Sequence, residues 1–291
     1  MLVIIVKLTQ IDILAVILIM FSNLFQSTPI IDESSKYWIL DTFVWALENF
    51  DLSTFKNDTQ LVLPTNDFYP GRVCSVHEMA QSVFDRTLQF AGLQHWPIVL
   101  VKPNDFVQKK IPSLHFIDVK RGDLVRFSSP VTTDQNILVS YNPNQVNQPQ
   151  DLVASFGQAF AMIMIIQSGK NPPGGSEFVP QAVDLVACFM GFGVMLSNTA
   201  YQFKGGCGSC FNPFANRNVS LSEHDMIYCL ALFCVLKSLS IKSVAIHLKS
   251  HLRSTFKRAF KEHKQSIALG SQTTLVNTLS GSITSVTQND K

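Results

Sequence analysis

Residues 151–203 read DLVASFGQAFAMIMIIQSGKNPPGGSEFVPQAVDLVACFMGFGVMLSNTAYQF, two apolar segments separated by a loop dense in Pro and Gly. Between 159 and 166 the first segment is apolar on every face, and between 183 and 196 the second is nearly so. Segments of this kind are central core helices or membrane spans. The breakers at 168–180 end the first segment, and Pro180 suits the first turn of the second. The expectation is a pair of helices, one from 147 or 148 through 167 and one over 181–203. The rest of the chain then covers or tethers this pair.

The composition agrees with a sizeable core or with a part that meets lipid: of 291 residues, 46% are apolar and 15% charged. The net charge of +2 conceals a segregation. Residues 237–264 hold eight Lys or Arg and one acid, a local +7, which leaves about −5 for the remainder. A basic helix on a mildly acidic body can face anionic lipid, nucleic acid or an acidic partner, and most simply is a solvated face. Phe256 and Phe260 fall on its apolar stripe, so no aromatic is left to stack on bases, which argues against specific nucleic-acid recognition. The expected arrangement packs the stripe on the core and turns the cations toward solvent or anionic lipid. Six cysteines are too few for a disulfide scaffold, and Cys188, Cys229 and Cys234 lie in apolar helical patterns where Cys acts as a small hydrophobe.

Residues 2–25 form an apolar run interrupted by Lys7, Thr9, Gln10, Asp12, Ser22 and Asn23. The cleanest part, 13–21, is short for a span of about 20 residues, and no small-x-small cleavage site follows. Residues 1–26 therefore read as an uncleaved transmembrane anchor or signal-like segment, and the localisation as single-pass membrane. Lys7 before the run and Asp32 and Glu33 after it favour a body outside the cytoplasm, though three charges do not decide the side. Residues 27–36 read as a linker. An amphipathic helix is expected over 37–50, a short strand at 61–64, and a further helix opened by the capping box of Ser75 and Glu78. His77, Glu78 and Gln81 come one residue short of the H-E-x-x-H zinc motif, whose two histidines must face one metal from adjacent turns. With Gln in the second place, and Glu78 capping, this is a decoy.

Strand-like runs follow at 96–101, 115–119, 124–128 and 137–141, with turn signals between them, and suggest a small antiparallel sheet. Beyond the central pair, Ser222 and Asp225 cap a helix over 226–239, and Val244, Leu248, Leu252, Phe256 and Phe260 mark another at i, i+4 spacing. Ten of the last 27 residues are Ser or Thr with little to bury, so 265–291 is expected to be a disordered tail. The fold class is α+β: one domain over 37–264, with helices and sheet in 37–146 and a mainly helical half in 147–264.

Four stretches, 61–93, 151–165, 180–203 and 251–260, resemble in that order an uncharacterised bacterial family with a zincin-like metallopeptidase core. The resemblance spans roughly residues 37–263. In that family the first core helix looks like L-V-A-x-x-x-H-E-L-A-H, and the second carries an acid in T-D-L-L-x-x-F-x-G-x-G. Here the H-E-x-x-H places fall on Gly157, Gln158 and Ala161, so both imidazoles and the general base are missing. The acid survives as Asp184, 23 residues after Ala161, where a third ligand would stand. Read without the family, Asp184 is an acid near a helix start that gains from the macrodipole, or one member of a residual polar site with Gln158. The resemblance implies a catalytically inactive relative that binds or scaffolds an unknown protein partner, with no metal at the zincin site.

Cys207 and Cys210 are the other constellation with chemical potential. A C-x-x-C pair can be a local disulfide, half of a zinc site, a redox dithiol or two free thiols. A helix precedes the pair and a loop follows it, the reverse of the thioredoxin arrangement. Zinc here is the one cofactor the residues allow. Two alternatives to the inactive relative stay open: an enzyme of another class using Cys207 and Cys210 or Gln158 and Asp184, and a multi-pass membrane protein.

Overall fold

The computed structural model describes residues 28–71, 75–200, 217–270 and 272–280. The apolar segment 1–26, Cys207 and Cys210 lie outside the described residues. The chain divides into a unit Met1–Ile30 and a unit Ile31–Lys291, and the fold below is that of the second.

It is mainly helical. Helix α1 (Glu33–Asn49) starts inside the stretch expected to be a linker, because the Asp32 carboxylate accepts from Ser35 N at 2.9 Å and caps it. It buries Ile39, Phe43, Ala46 and Leu47, and a short α2 (Leu52–Asn57) follows. Residues 61–64 form no strand. Their backbone instead turns to the central helices, with Val62 N donating to Gly191 O at 2.9 Å. Helix α3 (Val76–Phe90) opens with both bonds of the expected capping box: Glu78 N to Ser75 Oγ at 3.2 Å and Ser75 N to Glu78 Oε2 at 3.1 Å.

The sheet differs from expectation in direction and size. It has two three-residue strands, β1 (Ile98–Leu100) and β2 (Ile137–Val139), paired parallel with Ile98 opposite Ile137. Alternation tells which residues face inward and is silent on strand direction. The runs at 115–119 and 124–128 meet only at one antiparallel bridge, Phe116 to Phe127. The turn between them is pulled into the core instead. Arg121 is fully buried, with its guanidinium 5.2 Å from the Phe189 ring centre and Nη2 donating to Thr59 Oγ1 at 2.9 Å. The Asp51 carboxylate accepts from the backbone of Lys120 and Arg121 at 2.7 and 2.9 Å. The long crossover supplies these contacts rather than hairpin pairs.

The first central segment is α4 (Pro149–Ser168), closed by Gly169 in the left-handed region at φ 64°. The second is not one helix over 181–203. It is α5 (Val179–Ala187), a π-helical turn at Cys188–Phe192, and α6 (Gly193–Thr199). The break centres on Gly191 at φ 105°, where a Cβ would stand 2.1 Å from Gln60 O. Helix α7 (Glu223–Leu236) is capped by Ser222, which accepts from Asp225 N at 3.1 Å, and buries every residue from Met226 to Cys234. The stripe expected as one helix over 244–260 is divided between α8 (Ile241–Ala245) and α9 (Leu252–Ala268). Residues 265–280 are not a featureless tail. Helix α9 runs to Ala268, and α10 (Thr273–Ser280) packs on α1 with Leu275 and Thr278, one turn apart on a single face, buried within the Ser/Thr-rich stretch.

The core is layered helix on helix. Helix α4 packs against α3, α5 and α6, while α7 is sandwiched between α6 and α9. Phe55 stacks on Phe189 at 4.7 Å and meets Phe43 and Phe233 edge-on, which joins the N-terminal helices to the central ones. Two helical stretches, Pro149–Ser168 and Ser176–Thr199, are long and apolar enough to cross a membrane, with mean hydropathy 1.3 and 1.7. In this fold 61% and 83% of their apolar windows are buried, the pattern of core helices.

Candidate functional site

Gln158 projects from the middle of α4 and Asp184 from α5, and the two meet: Gln158 Nε2 donates to Asp184 Oδ1. A third residue, Arg217, completes the group. It comes from the irregular approach to α7, and its Nη1 lies 3.3 Å from Asp184 Oδ1. The other oxygen, Oδ2, accepts from the backbone N–H groups of Ser220 and Leu221, both at 2.9 Å. Gln158 Nε2 also donates to Asn218 O at 2.7 Å, and Arg217 Nη1 to the same carbonyl at 3.1 Å. The carboxylate thus receives four donors while its side chain has no solvent exposure. Asp184 lies beyond the first turn of α5, so what holds it is this buried ion pair and not the helix macrodipole.

The guanidinium is used on every nitrogen. Nε donates to Thr199 Oγ1 at 2.7 Å and Nη2 to Leu196 O at 2.9 Å, which ties the segment to the end of α6. The backbone N of Arg217 donates to Asp151 Oδ2 at 2.9 Å, and Gln145 Nε2 donates to the same oxygen at 3.0 Å. Burial pulls the Arg217 pKa down from its ordinary value, and the Asp184 and Asp151 carboxylates oppose that pull. Burial likewise raises Asp151, against the bonds from Gln145 and the charge of Arg217. The group is a cation held between two acids, with every guanidinium nitrogen and both Asp184 oxygens hydrogen-bonded, the condition under which a buried pair is tolerated.

The two remaining H-E-x-x-H places are packed against side chains. A Cβ on Gly157 would stand 3.1 Å from Cδ2 of the Phe192 ring, and Ala161 is fully buried. An imidazole has no room at 157 unless Phe192 moves. A zinc ion does not fit these residues: Gly157 and Ala161 supply no donor atom, and both Asp184 oxygens are committed to N–H groups. Among the described residues, no group of three or more His, Cys, Asp or Glu is placed to hold a metal.

The other sequence candidates also take structural places. His77 Nδ1 lies 3.3 Å from Tyr141 Oη with the rings stacked, Glu78 caps α3, and Gln81 donates to Asp85. Cys188, Cys229 and Cys234 are buried thiols whose pKa values are driven up by burial, which keeps them protonated and unreactive. A cleft of about 350 Å³ lined by Trp38, Phe178, Gln181, Ser220 and Asp225 reaches the segment that clamps Asp184, and Asp184 itself stays behind it. Arg217 was missed in the sequence because it sits in a Gly- and Asn-rich stretch without periodicity. The signal available was charge balance: two acids in otherwise apolar helices require a cation, and Arg217 is the one between Lys204 and Lys237.

Comparison with protein families, with curated proteins and with solved structures finds no match.

Proposed function

We propose that this chain is a non-catalytic relative of zinc metallopeptidases, tethered to a membrane by residues 1–26, and that it works as a binding or scaffold protein. The observation that carries the reading is the saturation of Asp184. A catalytic carboxylate needs an oxygen free for water, proton or metal, and this one spends both on Gln158, Arg217, Ser220 and Leu221. The packing of Phe192 on Gly157 supports the same reading, since it closes the helix face that a zincin would use. The polar group then acts as a clasp that holds the start of α7 onto α4 and α5.

Metal analysis of the Cys207→Ser/Cys210→Ser double variant tests this. Substitution of both cysteines removes the other place where zinc could bind, and the expected result is no stoichiometric zinc. Zinc that persists in the double variant and is lost on adding Asp184→Asn would overturn the reading.

The apolar helices favour a second reading, a multi-pass membrane protein, on length and hydropathy alone. Their burial, and the placement of Asp184 and Arg217 between them, supports the core reading instead, because a buried ion pair in lipid is costly. A chain starting at Ser34 that stays soluble without detergent would reject the multi-pass alternative.

A further inference from the structure

Helix α9 uses one face to pack on α7 through Leu252, Phe256, Ala259 and Phe260, so that face is unavailable to any partner. A neighbouring face, about 110° around the helix, carries Arg253, Lys257, Lys261 and Lys264, all exposed. Steps of four, four and three residues set them in one row along about 17 Å of helix. Arg258 flanks the row, and Lys242 and Lys249 stand exposed on the segment leading into it. The single acid of α9, Glu262, is turned away from the row. Its Oε1 lies 2.8 Å from Lys36 Nζ and accepts from Tyr228 Oη at 3.0 Å, binding α9 to α1 and α7.

One aliphatic side chain that the fold leaves in water, Ile246 at 60% exposure, stands at the start of the row. Ile246 is tied to the start of the row, since Arg253 Nη2 donates to its carbonyl at 3.2 Å. Cations in a line with an exposed aliphatic beside the first of them match the chemistry of an anionic bilayer surface, phosphate in the headgroup plane and hydrocarbon just beneath. Nucleic acid would use the phosphates alone, because the face presents no aromatic to a base.

We propose that this face of α9 is a docking surface for an anionic lipid bilayer. It is independent of the Asp184 clasp, and the two stand or fall on different measurements. The full chain is sedimented with phosphatidylcholine vesicles, with and without about one-third phosphatidylglycerol, in about 0.1 M and about 0.5 M NaCl. Neutral vesicles register whatever residues 1–26 contribute, and the ratio of anionic to neutral affinity registers the basic face. The expected ratio is above about a hundredfold at the lower salt and collapses at the higher. Lys257→Gln/Lys261→Gln/Lys264→Gln should weaken anionic binding on the order of a hundredfold and leave neutral binding unchanged. The equally charged control Lys102→Gln/Lys109→Gln/Lys110→Gln, also on exposed positions, should keep the ratio. The proposal is overturned if the α9 variant retains the ratio, if the control loses as much, or if duplex DNA binds the wild-type chain more tightly than anionic vesicles do. All six lysines are exposed, so both variants should keep the wild-type melting temperature and remain comparable.

Discussion

Arg217 is the residue on which the central arrangement depends. With a carboxylate on either side and none of its nitrogens idle, its removal leaves Asp184 buried with an uncompensated charge. Arg217→Ala and Asp184→Ala should each lower unfolding free energy by about 3 to 5 kcal/mol in urea titrations. The double replacement Asp184→Leu/Arg217→Met should cost much less than the two single losses combined, because apolar groups of similar volume need no partner. Additive losses would mean that the two side chains act separately. Asp184 illustrates what one residue's identity reveals: the sequence marked it as unusual, an acid in an apolar helix, while its partners lay 26 positions back and 33 to 37 positions further on.

At the scale of the element, the π-helical turn at Cys188–Phe192 is the feature without a sequence precedent in the neighbouring periodicity. Gly191 allows it twice over, through its positive φ and through the close approach of Gln60 O. The carbonyl of Gly191 in turn accepts from Val62 N, which ties residues 61–64 to the central helices and not to a sheet. Gly191→Ala combines left-handed strain with a clash against backbone, and should destabilise by more than about 2 kcal/mol. Ser75→Ala, which removes the capping-box acceptor at the head of α3, should cost only about 1 kcal/mol. Calorimetric melting of the two variants side by side checks the order, and an equal or smaller shift for Gly191→Ala would contradict the packing described. The helix caps at Ser75 and Ser222 were legible because each is satisfied within four residues, whereas the π turn exists for a contact 131 residues away.

For the molecule as a whole, α9 is joined to α7 by a buried imidazole. His263 lies with Nε2 3.2 Å from Tyr228 O and Nδ1 3.4 Å from Gln272 Nε2, its ring 4.1 Å from that of Tyr228. These partners suit the neutral tautomer that donates from Nε2 and accepts at Nδ1. Burial lowers its pKa from 6.5 to about 4. The unfolded chain therefore binds the proton more tightly, so stability is fully present above about pH 6.5 and is lost as pH falls toward 4. The difference across that window is about 3 kcal/mol from this group. Urea titrations between pH 7 and pH 4 should show that decline, and His263→Leu should flatten it. A slope unchanged by His263→Leu would place the acid sensitivity elsewhere.

The sequence by itself determined the helices whose ends are capped locally, the apolar character of the central pair and the segregation of charge onto α9. It also marked Gln158 and Asp184 as the polar residues of that pair. The tertiary structure decided the parallel direction of the two strands, the break at Gly191, the division of the stripe between α8 and α9, and the docking of α10 on α1. It also brought Gln158 and Asp184 together and supplied Arg217 as their partner. The physical reason is range. Caps and periodicity are satisfied between near neighbours on one helix, while strand direction, a glycine-dependent break and the partner of a buried charge are set by groups that meet only after the chain has folded.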